Sequence, residues 1–191
     1  MISCDAVCYI AGAFALLILP PEWILSAVVA ALVHEGGHLM AVRLCGGNIR
    51  EIRIRITGCV IRTDPMGMRQ SVICILAGPL GSFSLLVLKR YFPLMAVCGA
   101  LQGAYNMFPV LPLDGGRVLL ILLKRYFPEN GERIMEMWGQ IAGLTLLFAG
   151  IRLYIADRAG GYLLICALMI NIRTLRRKIP CKENRIGLQW Y

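Results

Sequence analysis

The sequence predicts an all-α polytopic membrane protein of about six transmembrane helices, with a short membrane-associated β-hairpin between the second and third. Three observations carry this expectation. Hydrophobic residues make up 58% of the chain and charged residues 16%, with a mean hydropathy of +0.68, far more apolar than a soluble domain of this length requires. Several apolar runs reach the roughly 18 to 20 residues that a bilayer-spanning helix needs. One segment, Ile52-Arg-Ile-Arg-Ile56, alternates strictly, which is the period of a half-buried strand.

Cys8 to Leu19 forms the first apolar run, closed by Pro20-Pro21-Glu22. Met1 to Asp5 has no Lys or Arg, so this run reads as a retained helix and not a cleaved signal. The second run, Trp23 to Leu44, holds both histidines of the chain. His34 and His38 stand one helical turn apart and share a face, so they can grip one metal ion. Glu35 completes the pattern H-E-x-x-H, in which two imidazoles ligate zinc and the glutamate takes a proton from the water. His34 lies roughly 16 Å along the helix from Trp23, about half a hydrocarbon thickness. The metal is therefore expected at mid-membrane, reached through a water-filled cavity.

Gly46-Gly47 ends that helix and the period changes to two. Arg50 to Ile56 is one strand, and Cys59-Val60-Ile61 after Gly58 returns as a second. Two readings of this ribbon stand side by side: an amphipathic anchor on the headgroups, or an edge that pairs with an unwound substrate through Arg53, Ile54 and Arg55. Gln70 to Leu88 is the third span, with Ala77-Gly-Pro-Leu-Gly-Ser82 at its centre. Small residues there let a second backbone approach, and Pro79 is expected to kink the helix. Leu94 to Leu123 is too long for one straight span and is broken by Asn106-Met-Phe-Pro-Val-Leu-Pro-Leu-Asp-Gly-Gly-Arg117. Irregular backbone at membrane depth is tolerated only where it lines a cavity, so the break belongs beside the metal. Lys124 to Arg133 is a polar connection, Ile134 to Tyr154 the fifth span, Gly160 to Ile172 the sixth, and residues 173–191 a basic tail.

Of the twenty Lys and Arg, fifteen fall in 43–69, 124–133 and the tail and four on the other side, with Arg117 in the break, a bias that places both termini in the cytoplasm. The same rule accounts for the net charge of +9; no basic stripe with interleaved aromatics points to nucleic acid. Eight cysteines include no C-x-x-C pair, so neither a disulfide framework nor a thiolate zinc site is indicated. One membrane-embedded domain, 1–191, accounts for the chain.

Catalytic zinc takes three protein ligands and leaves a fourth position to water. Among the eleven acids only Glu35 and Asp114 sit deep in apolar stretches. Glu35 is needed as the base, which leaves Asp114 as the third ligand by elimination. Capping of a helix that starts at Gly115 is a compatible second role for it. Arg117 either pairs with Asp114 or reaches the headgroups.

H-E-G-G-H in one span, followed by N-M-F-P-V-L-P-L-D-G-G-R in a later broken one, resembles the site-2 protease family of intramembrane zinc metalloproteases. The resemblance implies one Zn2+ held by His34, His38 and Asp114, with Glu35 as general base and Asn106 assisting at the substrate. It also implies a three-helix catalytic core, about 23–123, and a membrane-protein substrate with a transmembrane segment, in company with regulatory membrane proteins. Family members often carry asparagine where this chain has Ser82, and no polar role is assigned there. No room remains for a PDZ domain between spans or for a C-terminal CBS domain. The minimal bacterial form, similar to the protease that releases a sporulation sigma factor, fits best, and the bacterial cell membrane is its expected location. The runner-up is a transporter or metal-handling membrane protein, since midplane breaks occur there too; those folds usually pair two broken helices, and only one is evident here.

Overall fold

A computed structural model describes residues 2–4, 20–55 and 58–157. The chain divides into two compact units, the first reaching Phe108 and the second beginning at Pro109.

The first unit opens with strand β1 (Ile2–Cys4), then helix α1 (Pro21–Leu44). Pro21 occupies the first helical turn, where a missing N–H costs nothing. The stop is equally local: Gly46 sits at φ 77°, its N–H bonds to the Arg43 carbonyl, and the Gly47 N–H bonds to that of Val42 at 2.8 Å. These are the two bonds of a Schellman motif, and the left-handed residue within it favours glycine.

Strands β2 (Ile49–Arg55) and β3 (Gly58–Thr63) pair antiparallel, with a register shift between Ile49 and Glu51. The Arg50 guanidinium donates to Asp64 at 2.5 Å across their open end. β1 adds parallel to the other side of β2, Ile2 opposite Ile52 and Cys4 opposite Ile54. The ribbon is thus one part of a three-stranded sheet with β2 at its centre. The free edge expected on the strand through Ile54 is covered by β1, a three-residue strand too short to carry a period.

Helix α2 (Met68–Ser84) runs through Pro79 and passes into a 3-10 turn, Leu85–Leu88. Helix α3 (Pro93–Asn106) closes the unit. The three helices pack on one another through glycines. A Cβ on Gly37 would strike the Ala77 backbone, one on Gly81 would lie 3.0 Å from the Val33 carbonyl oxygen, and one on Gly99 would lie 2.7 Å from that of Ser82. Close backbone approach of this kind supplies dispersion contacts where lipid offers no hydrophobic drive. Below the glycines, Ala41, Val42 and Cys74 form a small buried cluster against Cys45, Ile49, Met66 and Ala77.

In the second unit, helix α4 (Asp114–Tyr126) packs against helix α5 (Gly131–Asp157). Lys124 and Glu132 pair at 2.5 Å where the two meet. Ahead of α4, the turn Val110–Leu113 folds over Gly116, whose bare Cα admits the Val110 carbonyl. Leu111-Pro112 is cis.

The break in the fourth apolar stretch is therefore real: α3 ends at Asn106 and α4 begins at Asp114. α4 continues three residues beyond Leu123, into the segment read as a polar connection, because Lys124, Arg125 and Tyr126 are tolerable helix formers. Among the described residues three helices are long and apolar enough to cross a membrane: Pro21–Leu44, Met68–Leu88 and Gly131–Ala156. The expected first and sixth spans and the basic tail lie outside the described residues, so six spans are not established. The chain is an integral membrane protein.

Candidate metal centre

His34 and His38 lie one turn apart on α1, and their rings meet edge to face with Nε2 atoms 3.3 Å apart. Both Nδ1 atoms are engaged by α2. His38 Nδ1 lies 2.8 Å from the Cys74 carbonyl oxygen, and His34 Nδ1 lies 2.9 Å from Ser82 Oγ. A carbonyl only accepts, so His38 carries its proton on Nδ1 and presents a lone pair at Nε2. That lone pair faces His34 Nε2, and either a proton on His34 or a cation between the two nitrogens satisfies it. On a tetrahedral zinc with Zn–N of ~2.0–2.1 Å, two ligand nitrogens stand ~3.3–3.4 Å apart. The spacing of the pair thus fits zinc, and so does the tautomer of His38.

His34 is 3% exposed, and the helix around it is apolar enough to cross a bilayer. Glu35 follows directly and is half-buried.

Asp114, 4% exposed, is the first residue of α4, and Leu113 takes the cap position with no side-chain bond. The expected capping role for Asp114 is corrected accordingly: its carboxylate lies in the first helical turn, where the helix dipole favours negative charge. Arg117 Nη1 stands 3.6 Å from Asp114 Oδ1, which settles Arg117 on the side of pairing. Asn106 closes α3 and donates one amide N–H to the Gln102 carbonyl at 3.1 Å, satisfying an end-of-helix acceptor. Its second N–H is not used by that bond. Arg53, Ile54 and Arg55 lie in β2, opposite Val60, Cys59 and Gly58 of β3. His34 and His38 in the first unit offer two imidazoles and Asp114 in the second a buried carboxylate, the donor types that a catalytic zinc takes.

Two residues of this site escaped the sequence reading. Ser82 is fully buried against His34, and Gly78 leaves the space that the His38 ring fills. The available signal was the four-residue spacing of Gly78 and Ser82, which puts both on the helix face that meets the histidines. Gly78→Ala is expected to displace His38 and lower zinc affinity about tenfold or more, a loss of the size seen when a ligand's support is removed. Gly36→Ala, where a Cβ meets nothing within 4 Å, should leave it unchanged. Chelator competition on the two purified variants checks the contrast.

Residues 7–100 match the model for Peptidase M50B-like proteins, and residues 55–150, half of the chain, match that for Peptidase family M50. A protein of Methanocaldococcus jannaschii described as a zinc metalloprotease is 28% identical over 138 residues, 64% of this chain. The match spans 41% of that relative's length. The solved structure of a site-2 protease from the same organism superposes with a TM-score of 0.68 at 21% identity, covering 94% of this chain and 89% of that one. At that identity the likeness is one of fold.

Proposed function

The chain belongs to peptidase family M50, and on that premise we propose that it is an intramembrane zinc metalloprotease hydrolysing a peptide bond in or near a transmembrane segment of a membrane-tethered protein. The observation that carries this reading is the histidine pair: Nδ1 atoms anchored at 2.9 and 2.8 Å and Nε2 atoms 3.3 Å apart, within a bilayer-length helix that also carries Glu35. His34, His38 and Asp114 would hold the metal, which when bound lowers the pKa of water and polarises a carbonyl. Glu35 accepts the water's proton and returns it to the leaving amine. Asn106 directs its remaining amide N–H to the developing oxyanion. Arg117 steadies the Asp114 carboxylate.

A peptide bond within a transmembrane helix is shielded by its own hydrogen bonds and must be unwound, and exposed backbone in lipid needs other partners. The sheet supplies them. Substrate adds to the backbone of Arg53, Ile54 and Arg55, taking the place of the short β1 strand. Ile54→Pro is then expected to reduce cleavage strongly with zinc content unchanged, and to do more damage than Arg53→Gln with Arg55→Gln. Should the arginine pair prove the more harmful change in a cleavage assay, the strand is an electrostatic anchor. The catalytic core extends over about 23–123, the termini are cytoplasmic, and the released product is a transcription regulator, as in bacterial sporulation.

The reading is tested with the full chain in liposomes and a set of single-span reporter proteins. Cleavage that stops on metal chelation and resumes with added zinc is expected. Cleavage indifferent to chelation contradicts it.

A further inference from the structure

Resting on the assignment of His34 and His38 as zinc ligands, we propose that Ser82, wedged between α1 and α3, is the positioning residue that fixes His34 with Nε2 directed at the metal. Ser82 is 0% exposed. A hydroxyl buried at that depth requires a partner, and the one it has is His34 Nδ1 at 2.9 Å, 48 residues away in sequence.

The two histidines are anchored by different means. His38 is held by a main-chain carbonyl, that of Cys74, which can only accept and so dictates the tautomer. His34 is held by a hydroxyl, which can accept from a protonated Nδ1 or donate to a bare one. Only the first alternative leaves Nε2 free to ligate, and with metal bound it is the one adopted, the hydroxyl accepting from Nδ1. Of the two anchors, only this one can be removed by a side-chain substitution.

The turn of α2 that bears Ser82 is itself fixed by α3. A Cβ on Gly99 would lie 2.7 Å from the Ser82 carbonyl oxygen, and one on Gly103 would lie 3.2 Å from Ser82 Cβ. The bare backbone of α3 thus presses on this turn, and Ser82 transmits its position to His34. Ser84, two residues on, is exposed and donates within its own helix to the Gly81 carbonyl at 2.6 Å, which makes it the matched control.

The experiment measures zinc affinity by chelator competition on the full-length protein in detergent micelles, for the parent, Ser82→Ala, Ser82→Thr, Gly103→Ala and Ser84→Ala. Ser82→Ala should bind zinc about 10- to 100-fold more weakly, the usual effect of losing an outer-shell partner. Ser82→Thr, which keeps the hydroxyl, should restore affinity to near the parent value, and Ser84→Ala should match the parent. With two histidines in the chain, 15N-histidine spectra report both tautomers without overlap. Both rings of the zinc-loaded parent should carry the proton on Nδ1, and Ser82→Ala should lose that pattern for one ring alone. Gly103→Ala crowds the same turn with the hydroxyl intact, so it tests the inference should the alanine variant fail to fold, and it should weaken zinc binding and blur the same ring's signal. Unchanged affinity in Ser82→Ala, an unchanged tautomer pattern, or a threonine variant as weak as alanine overturns the positioning role. A parent protein that binds no zinc overturns the metalloprotease reading as well, and that outcome is distinguishable from the others.

Discussion

Glu35→Gln is expected to abolish cleavage while leaving zinc bound. The substitution preserves the size of the side chain but replaces a basic carboxylate oxygen, which takes the water's proton, by an amide that only donates there. His34 and His38, with their Nδ1 anchors to Ser82 and Cys74, are untouched. General-base assistance contributes about 10²-fold or more, so the barrier should rise by at least ~2.7 kcal/mol. Metal content and cleavage of a single-span reporter, measured on the same preparation, give the answer. A variant that cleaves at near-parental rate removes Glu35 from the chemistry, and one that loses zinc makes it a ligand.

Asp114→Ala should show the opposite pattern, loss of zinc and of activity together. The carboxylate is 4% exposed and is the ligand proposed to complete the set begun by the two histidines. Its removal leaves two neutral ligands and takes away the carboxylate that pairs with Arg117 at 3.6 Å. Losing one of three protein ligands should weaken binding more than the 10- to 100-fold typical of an outer-shell change, so occupancy after dialysis should fall to near zero. Asp64→Ala is the comparison. Asp64 pairs with Arg50 on an exposed part of the sheet, an ion pair worth about 0–1 kcal/mol. That variant should keep its zinc and its cleavage. Full zinc in Asp114→Ala would place the third ligand elsewhere.

What the sequence made legible was whatever depends on local periodicity and on rare residues in apolar surroundings. His34 and His38 share a face because any helix puts i and i+4 together, and the α1 stop follows from Gly46-Gly47. The interruption between Asn106 and Asp114 follows from two prolines close together. Alternation at Ile52 to Ile56 correctly marks β2 as far as Arg55. What stayed hidden depends on how elements rotate and slide against one another. Ser82 meets His34 only because Gly37, Gly78, Gly81 and Gly99 let three helices approach at one particular rotation, and no pattern within a single helix encodes that pairing. β1 offers three residues without a recognisable period, so its cover over β2 could not be anticipated, and the expected open edge was an artefact of reading the hairpin by itself. Asp114 was misplaced as a cap because aspartate is common there, whereas the β-like backbone of Leu113 already takes that position.

A single zinc is proposed to be held by nitrogen and oxygen ligands drawn from His34, His38 and Asp114. X-ray absorption at the zinc edge of the full-length Glu35→Gln protein tests it most directly, because the variant keeps every proposed ligand and cannot turn over. One zinc per chain is expected, with a first shell of nitrogen and oxygen at ~2.0–2.1 Å. A shell containing sulfur at ~2.3 Å, from any of the eight cysteines, or a protein that retains no zinc, would contradict it.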